Sequence, residues 1–171
     1  MICPTCGYDN LPGNEECANC QQDLTQIDRP AAQNRVERSL MEDQVGQLHP
    51  KPPVIIRPDT TIQAAMQVML EHDIGALLIV DSKGKLLGIF SERDLLKKVA
   101  GLHPNYADLP VAGFMTTNPE TVTASDTLDF ALHKMDCGGY RHLPVLQGDR
   151  PIGVVSVRDM LRHITRLCKE S

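Results

Sequence analysis

Cys3-x-x-Cys6 and Cys17-x-x-Cys20 place four thiols in two pairs separated by ten residues. That spacing suits two knuckles closing on one tetrahedral Zn2+ through four thiolates. Iron held by the same four sulfurs is the other candidate. With every coordination position filled there is no place for water or substrate. The metal is therefore expected to be structural, and its binding, worth about 10 to 16 kcal/mol in such segments, to drive local folding. Gly7 follows the second cysteine of the first knuckle, where a positive φ lets backbone N–H groups approach sulfur; Gln21 stands at the same place in the second knuckle, so a looser turn is expected there. Cys137 and Cys168 are isolated, and neither is expected to be reactive.

A second chemistry is written twice. "GIFSERDLL" at residues 88–96 recurs as "GVVSVRDML" at residues 153–161, placing Ser91, Arg93 and Asp94 over Ser156, Arg158 and Asp159. A strand that ends at such a serine and opens a helix offers unpaired N–H groups and a positive dipole end to an anion. A carboxylate three residues on can accept two hydroxyl hydrogen bonds from a ribose, and the arginines add fixed positive charge. The competing reading is a variant capping box, with Ser at N-cap and Asp at N3, which needs no ligand; it leaves the arginines unexplained. Gly88 and Gly153 interrupt apolar strands, where glycine often marks the close approach of a ligand or of another backbone.

The repetition extends upstream. "DTTIQAAMQVM" faces "SDTLDFALHKM", with Ala65 over Ala131 and Met69 over Met135, and "ALLIVDSKGKLLG" faces "HLPVLQGDRPIG". Each unit reads as a short strand ("VIIR", "ETVT"), an amphipathic helix (61–72, 126–137), a hairpin, and a second helix starting at Ser91 or Ser156. One β-α-β-β-α unit buries only part of its sheet, so two should pack together. Before them, residues 1–25 have too few large apolar residues for a core and need a staple. Residues 26–52 read as a linker, with a helix expected over 31–46, Pro30 near its first turn and Val36, Leu40, Met41, Val45 and Leu48 at roughly helical spacing.

Of the 22 acids, five (Asp9, Glu15, Glu16, Asp23 and Asp28) fall in residues 1–28, which hold no Lys or Arg. Such a segment gains nothing from counterion release, so nucleic acid is an unlikely partner. No apolar run reaches the roughly 18 to 20 residues of a membrane span, and no export signal opens the chain; a cytoplasmic location is expected, where Cys-x-x-Cys favours metal over disulfides. No nucleophile–base pair, P-loop or open metal site is apparent, and His49, His72, His103, His133 and His163 are scattered. An enzyme is not expected.

Gly-apolar-x-Ser-x-x-Asp at the end of each repeat, within the β-α-β-β-α order, resembles the CBS domain, and two in tandem resemble a Bateman module over residues 53–167. "CPTCG" likewise resembles a zinc-ribbon knuckle. The expected fold is α+β: repeats at 53–105 and 106–171 as a pseudo-two-fold pair, behind a zinc ribbon at 1–25. "KPPVIIRPDT" departs from the Met-Thr-x-x-Pro lead that "FMTTNPETVT" supplies. The resemblance implies that AMP, ADP, ATP or S-adenosylmethionine binds in clefts between the repeats, with Asp94 and Asp159 on ribose and Ser91 and Ser156 near phosphate. It also implies that Tyr140, Arg141 and His142, ahead of the second hairpin, meet phosphate and adenine. Gly75, Ala76 and Leu77 occupy that place in the first repeat, so the stronger phosphate site is expected near Arg141 and His142, in a second-repeat set Tyr140, Arg141, His142, Ser156 and Asp159, with Ser91 and Asp94 as a weaker or differently specific site. A homodimer and an unidentified protein partner complete the expectation of a regulatory module; a scaffold with empty clefts, or a nucleic-acid regulator using the ribbon, are the alternatives.

Overall fold

The computed structural model describes residues 2–3, 5–11, 13–24, 32–101 and 105–169. The chain divides into two units, Met1–Gln33 and Asn34–Ser171. Pro30 and His103 lie outside the described residues.

In the first unit two knuckles are built by the same hydrogen bonds. Cys3 N–H donates to Tyr8 O at 2.9 Å and Gly7 N–H to Cys3 O at 2.8 Å; Cys17 N–H donates to Gln22 O at 2.8 Å and Gln21 N–H to Cys17 O at 2.9 Å. Gly7 has φ 73° and Gln21 φ 59°. The second knuckle is therefore not looser than the first: Gln21 takes the left-handed conformation that glycine would adopt more cheaply. Leu24, Cys3 and Cys17 form the small core. Asn10, buried, pins the knuckles by donating to Tyr8 O and accepting from Ala18 N–H at 2.9 Å.

The second unit opens with α1 (Arg35–Glu42), capped by Asn34, and a 3-10 turn Val45–Leu48. The first repeat runs β1 (Ile55–Ile56), α2 (Ile62–His72), β2 (Ala76–Val80), β3 (Leu86–Ser91) and α3 (Glu92–Asp94), which widens into a π turn at Leu95–Val99. After a 3-10 turn Val111–Gly113 come β4 (Thr116–Thr117), β5 (Val122–Thr123), α4 (Leu128–Gly138), β6 (His142–Gln147), β7 (Arg150–Ser156) and α5 (Val157–Lys169). The duplication survives in detail. Ala65 and Ala131 are both fully buried, as nearly are Met69 and Met135. Asp73 ends α2 at φ 49° where Gly139 ends α4 at φ 62°.

The sheets are ordered β1-β2-β3-β4 and β5-β6-β7. In each, the short strand runs parallel to the first hairpin strand, Ile55 beside Leu78 and Val122 beside Val145. The lead of each repeat crosses to the other. Thr116 and Thr117 pair with Ile89 and Gly88 of the first repeat's last strand, and Lys51 bridges Val154 of the second's. Val111 is buried in the first repeat's core beside Ile62, Leu77, Ile79 and Phe90, and Val45 in the second's beside Val122, Leu128, Leu143 and Val155. The crossings explain both strand glycines. A Cβ on Gly88 would lie 2.7 Å from Met115 Sδ and 2.8 Å from Thr116 O, and one on Gly153 would lie 2.7 Å from Pro50 Cβ. What approaches them is polypeptide. Ala76, Leu78 and Ile89 turn the other face of the first sheet toward Val154 of the second, so β2 is buried along its whole length.

Helix α1 packs on α4 and α5. The buried Ser39 hydroxyl donates to Asp43 and lies 2.7 Å from His163 Nε2, and Arg166 lies 3.2 Å from His163 Nδ1. Because the serine proton is committed to Asp43 and an arginine can only donate, Nε2 carries the imidazole hydrogen. Among the described residues no helix is long and apolar enough to cross a membrane.

Candidate functional site

Both Ser-x-x-Asp junctions close as capping boxes. Ser91 N–H and Oγ–H donate to Asp94 Oδ2 at 3.0 and 2.6 Å, and Ser156 N–H and Oγ–H donate to Asp159 Oδ2 at 2.9 and 2.6 Å. The aspartates' second oxygens differ. Asp94 Oδ1 accepts from Thr116 Oγ1 at 3.0 Å and pairs with Lys98 Nζ at 2.7 Å. Burial alone would raise the Asp94 pKa, but the hydrogen bonds from Lys98, Ser91 and Thr116 outweigh it and hold the carboxyl below its ordinary value. Asp159 Oδ1 meets Arg162 at 3.4 Å, in a partly exposed pair. Thr116, from the crossing lead, and Lys98, from the π turn, were not singled out in the sequence; Thr116 sits in the "MTT" of the second lead, while Lys98 shows no signal beyond its spacing four residues after Asp94.

A cleft of about 790 Å3 opens at the first junction. Ser91, Arg93 and Asp94 line it from the first repeat, and Tyr140, Arg141 and His142 from the second. Ser156, Arg158 and Asp159 are not among its lining residues; Ser156 instead stands beside His142 in the β6–β7 ladder, as Ser91 stands beside Ala76 in β2–β3. Arg93 reaches across the repeats to donate to Gly139 O at 2.5 Å. Glu92 and Lys97 also line the cleft. With Lys98 neutralised by Asp94, three cations (Arg93, Lys97 and Arg141) face one free acid, Glu92, and the cleft presents an anion-attracting field. His142 is largely enclosed. Burial lowers its pKa first of all; Glu92 and Asp159 raise it, Arg141 and Arg158 lower it, and the balance stays below the ordinary 6.5.

In the first unit the sulfurs of Cys3, Cys6, Cys17 and Cys20 all lie within 4.8 Å of one another, with Cys3–Cys20 and Cys6–Cys17 at 3.6 Å. Zn–S bonds of about 2.3 Å at tetrahedral angles require sulfurs about 3.8 Å apart, so the donors fit the metal. Backbone N–H groups of Tyr8 and Gln22 point at Cys6 and Cys20, as thiolates require. Against burial, which raises it, N–H donors from Cys20 and Asn19 and the Asn10 amide hold the Cys17 thiol down at about 6, while, despite the Gln22 N–H, the three neighbouring sulfurs and burial push the Cys20 thiol up to about 12.

A pair of interleaved β-α-β-β-α repeats around an inter-repeat cleft, preceded in the chain by two knuckles that cluster four cysteines, defines the class. The CBS domain model matches residues 45–101 and 111–166, and the chain belongs to that family. It is 33% identical over 125 residues, 72% of this chain and 74% of the other, to an uncharacterized 17.7 kDa protein of Acidianus ambivalens. The CBS domain-containing protein CBSCBSPB5 of Arabidopsis thaliana is 36% identical over 105 residues, 61% of this chain but 19% of that longer protein. The CBS domain pair of MJ0100, solved with 5'-methylthioadenosine and S-adenosyl-L-methionine, superposes with a TM-score of 0.65 at 27% identity, over 72% of this chain and 96% of that one.

Proposed function

We propose that this chain is a regulatory module that senses an adenosine nucleotide in its inter-repeat cleft and signals to a protein partner, with a structural Zn2+ in its N-terminal unit. The observation that carries the reading is the convergence of Arg93 and Lys97 from one repeat and Arg141 and His142 from the other on one cleft. Repeats that both contact a ligand are held in one relative arrangement by it, which is what a sensor requires. The adenosine ligands named with the MJ0100 pair support the ligand class.

Phosphate falls to Arg141, Arg93 and Lys97, whose guanidinium and ammonium groups bind it with charge-assisted hydrogen bonds. Tyr140 and the apolar wall at Ile89 offer contact area for a base. Asp94 would have to release Thr116 or Lys98 to accept ribose hydroxyls, whereas Asp159 has a freer oxygen; Ser156, Arg158 and Asp159 are assigned to a second, differently specific site. Cys3, Cys6, Cys17 and Cys20 would hold zinc as a closed four-thiolate centre, supplying rigidity and no reaction. The ribbon serves as the interaction element, and a homodimer is the assembly.

Thermal unfolding of the full chain with AMP, ADP, ATP and S-adenosylmethionine tests the reading, since a ligand bound only by the native state raises the transition temperature. Arg141→Ala is expected to abolish the rise with AMP, ADP and ATP, whose phosphates it would meet. No stabilisation by any member of the panel would leave a scaffold with empty clefts as the correct description.

A further inference from the structure

His142 stands where the first repeat has Ala76. It pairs with Ser156 across β6 and β7 where Ala76 pairs with Ser91 across β2 and β3, so the molecule carries one imidazole, not two, at its internal pseudo-two-fold. The ring sits in the wall of the cleft. A Cβ on Gly75 would meet His142 Cε1 at 3.2 Å, Nε2 at 3.3 Å and Glu92 Oε2 at 3.3 Å, so the histidine and the glutamate occupy space that only a glycine leaves open. Four charged groups act on the ring: Glu92 at the start of α3, Arg158 and Asp159 in the first turn of α5, and Arg141, the residue before β6; Arg93 and Lys97 face the same cleft. Gly75, ahead of β2, adds no charge.

Resting on the nucleotide-sensing reading above, we propose that phosphate binding in this cleft is coupled to uptake of one proton by His142, so that the nucleotide is held more tightly as pH falls. Burial is the largest influence on the ring and favours the neutral form, ahead of Glu92 and Asp159, which favour the charged form, and of Arg141 and Arg158, which oppose it. A phosphate dianion placed against Arg141 adds negative charge beside a group that carries none, and the ring then gains from protonation. The proton comes from solvent and resides on the imidazole; no covalent bond changes. Linkage fixes the sign: the bound state binds more protons than the free state, so affinity rises as pH falls, by about tenfold per pH unit at most. The effect is confined between the free-state pKa of His142, which lies below 6.5, and its higher value with phosphate present.

Calorimetric titration of the full chain with ADP, in two buffers of different ionisation enthalpy at each pH from 6 to 8, counts the protons taken up. Phosphate groups titrate near pH 6 on their own account, so the same titration is run on His142→Gln, which keeps a hydrogen-bonding side chain without the charge. Greater proton uptake by the wild type, with its steeper pH dependence removed in the variant, is the expected result. Equal uptake in the two proteins overturns the coupling and leaves nucleotide sensing intact; failure of ADP, AMP and ATP to bind at all overturns both. The His142 ring C–H resonance, followed with and without ADP in the wild type, gives the answer independently of the variant's folding: an unmoved titration curve refutes the proposal.

Discussion

Replacing Gly88 by alanine tests the interleaving of the two repeats directly. The added methyl carbon would stand 2.8 Å from the carbonyl oxygen of Thr116 and 2.7 Å from Met115 Sδ. The thioether can swing aside, but the carbonyl belongs to β4, whose pairing with β3 runs through Gly88 and Ile89. Relief therefore requires the crossing lead to move out, straining Val111 and Phe114, which pack into the first repeat's core. Overpacking of this kind costs about 1 to 3 kcal/mol, and disturbance of the Thr116 bond to Asp94 adds about 1 kcal/mol. A total of about 2 to 4 kcal/mol corresponds to a drop in melting temperature of roughly 4 to 16 °C for a chain of this size. Gly153→Ala should cost a comparable amount, because Pro50 Cβ at 2.7 Å is a ring carbon fixed to its backbone and the first lead would have to move to make room. Gly113→Ala meets nothing within 4 Å and serves as the control. Urea and thermal unfolding should show the Gly88 and Gly153 variants both clearly less stable than the Gly113 variant. If Gly88→Ala unfolded with the Gly113 variant, the lead would not cross at that distance and the reasoning would fail.

Asp94→Asn should lower stability by about 1 to 3 kcal/mol, because Lys98 loses its counter-ion in a half-buried site; chemical denaturation measures it. Since the folded-state pKa of Asp94 is depressed, its contribution is present above the ordinary carboxylate value and lost as pH falls through the lowered one, so the gap between variant and wild type should close in strong acid. Gln21→Gly removes the cost of a left-handed non-glycine residue, about 1 kcal/mol before the entropic offset, and should slow zinc loss to a chelator followed with a colorimetric dye; faster loss would contradict the knuckle geometry. Ser39→Ala leaves the buried His163 Nε2–H and Asp43 without their shared partner and should cost about 1 to 3 kcal/mol in the same unfolding assays.

What the sequence determined was the local and the repeated. Duplicated Gly-x-x-Ser-x-x-Asp runs marked both strand-to-helix junctions, and the matched Ala65/Ala131 and Met69/Met135 pairs proved to be equivalent core positions. Four cysteines at knuckle spacing converge within 4.8 Å. These features are set by short-range geometry, so a pattern in the chain suffices to read them. The tertiary structure alone decided which repeat owns which segment. Val45 and Lys51, read as linker, pack and pair with the second repeat, while Val111, Thr116 and Thr117 belong to the first. Strand pairing between distant segments depends on register and burial across the whole module, and no local pattern encodes it. The same cleft brings Tyr140, Arg141 and His142 to the first repeat's Ser91 and Asp94, and the crossing lead gives Asp94 a threonine partner where Asp159 pairs with Arg162, because Lys51 stands in the first lead where Thr116 stands in the second.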